Sequence, residues 1–375
     1  MAKPAAQPSR PANSTAKPNK HPKTISSMLD QDLIPGLPDH ISHICLASLP
    51  PALLYKVSHS WRNLIYSPHF PPFLSLYALL SPPDLDDSLQ LFSFDPISSV
   101  WARLPPPPVQ FLLRHPSYLS WNLPIQSVTV AGRIVIVAGT APRFLPALTR
   151  PLIFDPTVSR WSFGPEMTTP RRWCAAGTSR GSVYVASGIG SHYSSLVAKS
   201  VEKWDFVNSS STCDKKFEEM RTLKDGRFSR EAIEAIGYRG KLCMVNVKGD
   251  AVKEGAVYDT ESDAWEEMGE GMVRGWRGPA ASMAEEHIYA VDEKRGVLMR
   301  YSGGIGGGWK EIVECERLKG AEHMAAGGGR VCVVGRGGGI TVVDVVAAPV
   351  RIWVVEVPRG FNVVGLHILP RINIQ

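Results

Sequence analysis

The chain has 375 residues and a formal net charge of +6, and 44% of its residues are hydrophobic while 20% are charged. This apolar content suffices for a sizeable core, which excludes a wholly disordered chain. Five of the six charge units come from Lys3, Arg10, Lys17, Lys20 and Lys23, so residues 30–375 are nearly neutral and predict no nucleic-acid partner.

Residues 1–29 are rich in Pro, Ala, Ser and Lys and have almost no large apolar side chains. Such a segment cannot offset the entropy lost on ordering, so it predicts a disordered basic tail. The six cysteines are widely spaced and form no C-x-x-C motif, which favours reduced thiols in the nucleus and/or cytoplasm. Neither a secretory signal nor a membrane span is visible, so no membrane partner is expected.

Residues 30–72 predict a module of three short helices. Leu37-Pro38-Asp39 is typical of a helix start, Pro51 suits the first turn of a second helix, and Ser58 can cap a third. Three helices in fewer than 40 residues form a very small core, which favours docking on a partner over catalysis.

From residue 73 to residue 375 an aromatic-Asp pair recurs, with an aromatic anchor several residues later. Its clearest copies place a Trp six residues after the Asp, and looser copies bring the anchors to positions 101, 161, 217, 265, 309 and 353. Asp favours the first position of a tight turn, so the anchor falls on the returning strand. The predicted structural anchors are Asp95, Trp101, Asp155, Trp161, Asp259, Trp265, Trp309 and Trp353.

Each repeat also contains an earlier apolar strand, which gives four short strands per unit. Spacings of 44 to 60 residues between anchors with four strands per unit predict a β-propeller. The first unit lacks an innermost strand, and the chain ends with an unassigned one, Phe361 to Leu369. If that strand fills the vacant place, six blades close into a ring without an open sheet edge.

The repeat resembles the kelch motif through Tyr258, Asp259 and Trp265. The segment Leu33 to Phe70 resembles an F-box through two Leu-Pro pairs and a later Val-Ser-x-x-Trp-Arg. The order of the two parts is similar to that of the plant-type F-box/kelch-repeat family. This resemblance implies a mostly β chain, with a six-bladed kelch-type β-propeller preceded by a three-helix F-box module.

The same resemblance implies a non-catalytic substrate receptor of an SCF-type ubiquitin ligase. The F-box would dock on a Skp-type adaptor and through it on a cullin, while the propeller would hold a target protein whose identity the sequence does not reveal. The positions that match the F-box pattern, and would form or support the adaptor surface, are Leu37, Pro38, Ile41, Leu46, Leu49, Pro50, Val57 and Trp61.

Two alternatives stay open. The chain could be a kelch scaffold that takes no part in ubiquitination, or a propeller enzyme that uses a metal or a small molecule. The histidines outside the module show no H-x-H or H-E-x-x-H spacing, and the glycine runs match no phosphate-binding motif. The sequence therefore predicts no catalytic residue, metal or cofactor.

Three arginines are candidates for the target-binding face. Arg172 and Arg277 lie 11 residues before the second strand of their units, and Arg230 lies 12 residues before its own. Equivalent positions of a propeller share one face, so a partly basic recess for an acidic or phosphorylated segment is one interpretation. The other is that these arginines brace neighbouring loops.

Overall fold

The computed structural model describes residues 33–47, 49, 51–65, 74–82, 88–96, 98–115, 117, 123–207, 216–229, 233–246, 254–303 and 307–371. The predicted basic tail lies outside these residues. The chain divides into two compact units, Met1–Phe70 and Pro71–Gln375.

The first unit contains three short helices, α1 (Asp39–Ala47), α2 (Pro51–Val57) and α3 (His59–Ile65). α2 begins at Pro51, as the sequence predicts. The Ser58 hydroxyl oxygen accepts a hydrogen bond from the Trp61 backbone N–H (3.1 Å), so the predicted cap of α3 is also confirmed.

The second unit consists of six four-stranded antiparallel sheets, the blades of a propeller. Blade 1 is β1 (Leu74–Ser81), β2 (Gln90–Asp95), β3 (Val100–Leu104) and β24 (Asn362–Pro370); blade 2 is β4 (Gln126–Val130), β5 (Arg133–Ala138), β6 (Leu152–Asp155) and β7 (Arg160–Phe163). Blade 3 is β8 (Ala175–Ser179), β9 (Ser182–Ala186), β10 (Val201–Asp205) and β11 (Glu218–Glu219); blade 4 is β12 (Ile233–Tyr238), β13 (Lys241–Asn246), β14 (Gly255–Asp259) and β15 (Ala264–Glu267). Blade 5 is β16 (Ala280–Met283), β17 (His287–Asp292), β18 (Val297–Ser302) and β19 (Gly308–Glu314); blade 6 is β20 (Ala321–Gly327), β21 (Arg330–Gly335), β22 (Ile340–Asp344) and β23 (Arg351–Val355).

The ring closes through blade 1, whose strand order is β24-β1-β2-β3. β24 pairs antiparallel with β1 from Leu74 opposite Pro370 to Ser81 opposite Asn362. The terminal strand therefore fills the innermost place of the first blade, and the predicted closure is confirmed.

The innermost strands of neighbouring blades contact one another all around the ring, in the order β24, β4, β8, β12, β16 and β20. The approach of β12 to β8 requires a glycine, because a Cβ on Gly237 would collide with the carbonyl oxygen of Thr178. Large apolar side chains of both faces of each blade fill the spaces between blades. The core is therefore a ring of inter-blade layers.

In blades 1, 2, 4 and 6 an aspartate begins the turn between the third and fourth strands. Asp259 accepts hydrogen bonds from the backbone N–H groups of Glu261 (2.9 Å) and Ser262 (3.2 Å). These two bonds, followed by a contact with Lys241, lower the pKa of Asp259 to about 2. Asp95, Asp155 and Asp344 accept backbone N–H bonds in the corresponding turns.

Four of the predicted tryptophan anchors make the same two contacts. Each packs on the aromatic residue that pairs with it across the third and fourth strands, at ring distances of 5.0 to 5.4 Å. Each indole N–H also donates to a carbonyl oxygen in the segment that leaves the preceding blade. The acceptors are Glu356 for Trp101 (2.7 Å), Pro105 for Trp161 (2.7 Å), Arg221 for Trp265 (2.8 Å) and Met272 for Trp309 (2.9 Å).

Trp353 does not occupy the equivalent position, and its assignment as the anchor of blade 6 is wrong by one residue. In the other blades the anchor faces the residue before the aspartate, whereas in blade 6 that residue, Val343, faces Ile352. Trp353 faces Val342 instead, so its side chain points to the opposite side of the sheet. It remains 40% exposed.

The connections divide the propeller into two faces. We call the loop face the side with the connections between second and third strands and between successive blades. It includes the short helices α4 (Ser195–Lys199) and α5 (Glu270–Gly275). We call the turn face the other side, which has the tight turns between first and second strands and the aspartate turns.

Candidate functional site

The helices of the first unit present large apolar side chains to solvent. Ile41, Ile44, Leu53 and Val57 are between 36% and 67% exposed, and Ile44 is the most exposed of them. Among the side chains of the unit that the structure describes, Leu46, Leu54 and Leu64 are nearly inaccessible and form its core. In the described part of the unit, the exposed large apolar side chains are thus at least as numerous as the buried ones, which is typical of a protein that binds a partner at this surface.

The periodicity of α1 explains which side is exposed. The sequence places Ile41, Ile44 and Cys45 on one helical face, and the structure leaves all three exposed. Ser42 and Leu46, one turn apart on the other side, are buried. Ile44 and Leu53 are not among the predicted adaptor residues, although the i, i+3 pattern of the helix includes Ile44.

The predicted adaptor residues fall into several environments. Leu46 is buried, so it can only support a surface from below. Pro38, Ile41 and Val57 are exposed, whereas Leu37, Leu49 and Trp61 are half-buried. Pro50 lies outside the described residues.

Trp61 connects α3 to the start of the unit. Its indole N–H donates to the carbonyl oxygen of Leu33 at 2.6 Å, which ties the segment before α1 to α3. Next to it, Arg62 donates to the carbonyl oxygen of Tyr55 (3.1 Å) and lies 4.4 Å over the Tyr55 ring. Both side chains therefore fix helix positions as well as forming part of the surface.

The three candidate arginines of the propeller do not form one cluster of equal groups. Arg172 is half-buried on the loop face, with its guanidinium 4.6 Å over the Trp173 ring. Arg277 is mostly exposed, and its Nη1 lies 3.8 Å from Oδ2 of Asp292. Arg230 lies outside the described residues, so the recess cannot be traced through all three.

A buried ion pair beside Arg172 was not predicted. Arg171 and Glu202 are inaccessible to solvent and form a direct ion pair. Arg171 also donates to the Ser200 hydroxyl (2.8 Å), and Glu202 accepts from the Thr168 backbone N–H (2.9 Å). The pair thus fixes the connection between blades 2 and 3 from beneath, while the sequence shows only two adjacent arginines.

The described residues contain no group of three or more His, Cys, Asp or Glu side chains that could hold a metal ion. Burial raises the pKa of the thiols of Cys174, Cys243 and Cys332 to about 12, so these thiols stay protonated and are weak nucleophiles. Burial lowers the pKa of His367 to about 4, and its ring nitrogens lie 3.0 Å from the hydroxyls of Ser127 and Thr129. This imidazole is neutral and structural.

None of the described helices is long and apolar enough to cross a membrane.

Comparison with known proteins gives a consistent assignment. No protein-family model matches the chain. The F-box/kelch-repeat protein SKIP25 of Arabidopsis thaliana is 49% identical over 95% of this chain and 94% of its own length. SKIP4, an F-box/kelch-repeat protein of the same plant, is 24% identical over 84% of this chain and 85% of its own length.

The fold also has solved counterparts. A chain in the crystal structure of the nidogen/laminin complex matches with a TM-score of 0.51 over 79% of this chain and 98% of its own. At 8% identity this likeness concerns the fold alone. With a relative 49% identical along nearly its whole length, a helical first unit and a six-bladed propeller, the chain belongs to the F-box/kelch-repeat protein family.

Proposed function

We propose that the chain is the substrate-recognition subunit of an SCF-type ubiquitin ligase. The first unit binds a Skp-type adaptor and through it a cullin, and the propeller binds the protein to be ubiquitinated. The observation that carries this proposal is the exposed apolar set Ile41, Ile44, Leu53 and Val57 on a module whose described core consists of three leucines.

The energetics support docking at this surface. Taking a large apolar side chain from full exposure to full burial contributes roughly 1.5 to 3 kcal/mol. These four are 36% to 67% exposed, so each can contribute about half of that, and together they can anchor an interface. The buried Leu46 and Leu54 keep the helices in place beneath, and Trp61 fixes α3 against the start of the unit. Of the predicted adaptor residues, Ile41 and Val57 would touch the adaptor, and Leu46 would support it.

The propeller would act without catalysis. It offers a broad face of loops held by a closed ring, and the thiols of Cys174, Cys243 and Cys332 and the imidazole of His367 are buried and electrically neutral. This fits a receptor that positions a target while other subunits perform the chemistry. We place this activity in the nucleus, the cytoplasm or both.

The direct test is adaptor binding by the full chain. We would measure the affinity of a purified Skp-type adaptor for the wild type and for the double variant Ile44→Asp, Leu53→Asp. Two charges inside an apolar interface should weaken binding by about a hundredfold. The matched control is Leu196→Asp, Val346→Asp, which makes the same change at exposed apolar positions of the propeller.

Equal losses in both variants would show that the effect is unspecific. Absence of adaptor binding by the wild type would contradict the proposal and leave a kelch scaffold outside ubiquitination. Capture of bound proteins with the full chain and with a chain lacking residues 30–72 then separates the roles. Adaptor and cullin should require the first unit, whereas target proteins should be captured by both chains.

A further inference from the structure

The two faces of the propeller differ in charge. Among the described residues, the connections of the loop face contain seventeen Arg and Lys against seven Asp and Glu. The turns of the turn face, together with Arg371 after β24, contain four Arg and Lys and four Asp and Glu. When the undescribed residues of these segments are included, the loop face has twenty Arg and Lys against twelve Asp and Glu. The turn face then has five basic and five acidic residues. The nearly neutral folded part thus concentrates positive charge on one side.

Several of these cations have no counter-ion. Arg274, Arg295 and Lys319 on the loop face form ion pairs with Glu270, Glu311 and Glu316 at 2.7 to 2.9 Å. In the part of the chain that the structure describes, no carboxylate oxygen lies within 4.0 Å of nine other loop-face cations. They are Arg143, Arg150, Arg172, Lys199, Arg221, Lys224, Arg317, Arg336 and Arg359.

Besides Arg150, five of the unpaired arginines lie in the half of the ring that runs from the connection between blades 5 and 6 to the connection between blades 2 and 3. Blade 1, within this half, contributes none of them, and the sequence of its loop has Asp84, Asp86 and Asp87. Arg317 lies between blades 5 and 6, Arg336 within blade 6, and Arg359 between blades 6 and 1. The first two belong to adjoining loops, since a Cβ on Gly320 would lie 3.0 Å from Cδ of Arg336. Arg143 and Arg172 continue the arc on blade 2 and between blades 2 and 3. We call this set the basic arc.

At Arg172, the end of the basic arc between blades 2 and 3, buried polar groups lack hydrogen-bond acceptors. Nε and Nη1 of Arg172 and the indole nitrogen of Trp173 are buried without a hydrogen-bond partner. A buried donor left unsatisfied costs about 1 to 3 kcal/mol. Since Arg171 is neutralised by Glu202, the adjacent Arg172 alone keeps an uncompensated charge. Reorientation of this side chain toward an incoming anion would therefore give up no ion pair, only the contact with the Trp173 ring.

We propose that the loop face binds an acidic segment of the target protein, with Asp or Glu carboxylates pairing with the basic arc. This inference rests on the proposed function and adds the class of target. Each unpaired guanidinium carries one positive charge, which one carboxylate neutralises, whereas a phosphoryl group brings close to two negative charges. The arc follows a ring of separate loops, one or two cations per loop, which suits a flexible chain with spaced acidic side chains better than a nucleic-acid backbone.

The test uses the full chain bound to its adaptor and four fluorescent probes: hexaglutamate, hexalysine, a phosphoserine peptide without Asp or Glu, and a single-stranded DNA. Hexaglutamate should bind, and hexalysine should not. The variant Arg336→Glu, Arg359→Glu should weaken hexaglutamate binding about tenfold or more. The matched control Arg180→Glu, Arg239→Glu makes the same charge change on the turn face, at two exposed arginines, and should change affinity less than about twofold.

Equal weakening by both variants would overturn the inference, because it would reflect net charge alone. So would absence of hexaglutamate binding, or tighter binding of the phosphoserine peptide or of the DNA. The adaptor affinity, measured on the same samples, separates the two proposals. Retained adaptor binding without hexaglutamate binding contradicts only the acidic target, whereas lost adaptor binding in the wild type contradicts the receptor function itself.

Discussion

The two units differ in how far their side chains find partners within the chain. The propeller pairs many of the polar groups between its blades within the chain: the indole N–H groups of four tryptophans bond to the preceding blade, and the buried Arg171 pairs with Glu202. Among the described side chains of the first unit, Ile44 is the most exposed large apolar one, and the buried ones are Leu46, Leu54 and Leu64. A propeller of this kind is stabilised from within, whereas the helical unit is built so that a partner completes it.

We expect the largest effect on stability from breaking the buried ion pair of Arg171 and Glu202. Glu202→Gln leaves the charge of Arg171 buried without a counter-charge, so we expect the free energy of unfolding of the propeller to fall by about 3 to 5 kcal/mol. Denaturant unfolding of the full chain measures the loss. The double variant Arg171→Met, Glu202→Leu, which removes both charges, should recover most of it. A single variant as stable as the wild type would show that the pair is not needed.

The tryptophan anchors give the next largest effect. Trp265→Ala removes the bond to the Arg221 carbonyl and the contact with Tyr258, so we expect a loss of about 3 kcal/mol in unfolding free energy. Trp353→Ala is the matched control, because Trp353 is 40% exposed and faces the other side of its sheet. It should cost less than about 1 kcal/mol. Equal losses would contradict the corrected register of blade 6.

The pH dependence of the propeller's stability tests whether His367 is buried in its neutral form. Its pKa of about 4 lies below the ordinary value near 6.5, so the unfolded chain binds more protons between these values. The contribution of His367 to stability is therefore fully present above about pH 7.5 and falls with decreasing pH, by about 2 kcal/mol between about pH 7.5 and pH 5. Burial lowers the pKa of His323 to about 4 as well, so this histidine adds a slope of the same sign. His367→Gln should remove the part of the slope that comes from His367. Asp259, with its pKa of about 2, titrates below this window.

The smallest stability effect belongs to the first unit. Ile44→Ala removes an exposed side chain and should change the unfolding free energy by less than about 0.5 kcal/mol, while adaptor affinity falls about tenfold. Leu54→Ala, at a buried position, should destabilise the unit by about 2 to 5 kcal/mol. Similar effects of the two substitutions on stability would remove the distinction between surface and core.

The sequence predicts the ring because its signal is local and repeated. An aspartate that starts a turn and an aromatic residue on the returning strand recur at fixed spacing, so the blades and their closure by β24 follow from position alone. The register of blade 6 does not follow, because its longer turn moves Trp353 by one residue relative to the other anchors.

Contacts between residues far apart in the sequence are harder to predict from the sequence. Whether Arg277 meets Asp292, or Arg171 meets Glu202, depends on side chains that only the folded ring brings together. The exposed face of α1 shows the same limit: periodicity identifies Ile41 and Ile44 as one face, yet it does not say whether that face points inward or to solvent. The core instead uses Leu46, Leu54 and Leu64.

The closure of blade 1 sets an order of events during translation. β24 joins β1 across 293 residues, the separation between Tyr77 and Pro370, whose hydroxyl and carbonyl groups are hydrogen-bonded. The ribosome therefore releases the whole first unit long before blade 1 can receive its innermost strand. Under the proposed function, a chain that stops short of residue 362 would still occupy an adaptor but would lack a closed ring to hold a target. Premature termination would then convert a receptor into a competitor of intact receptors.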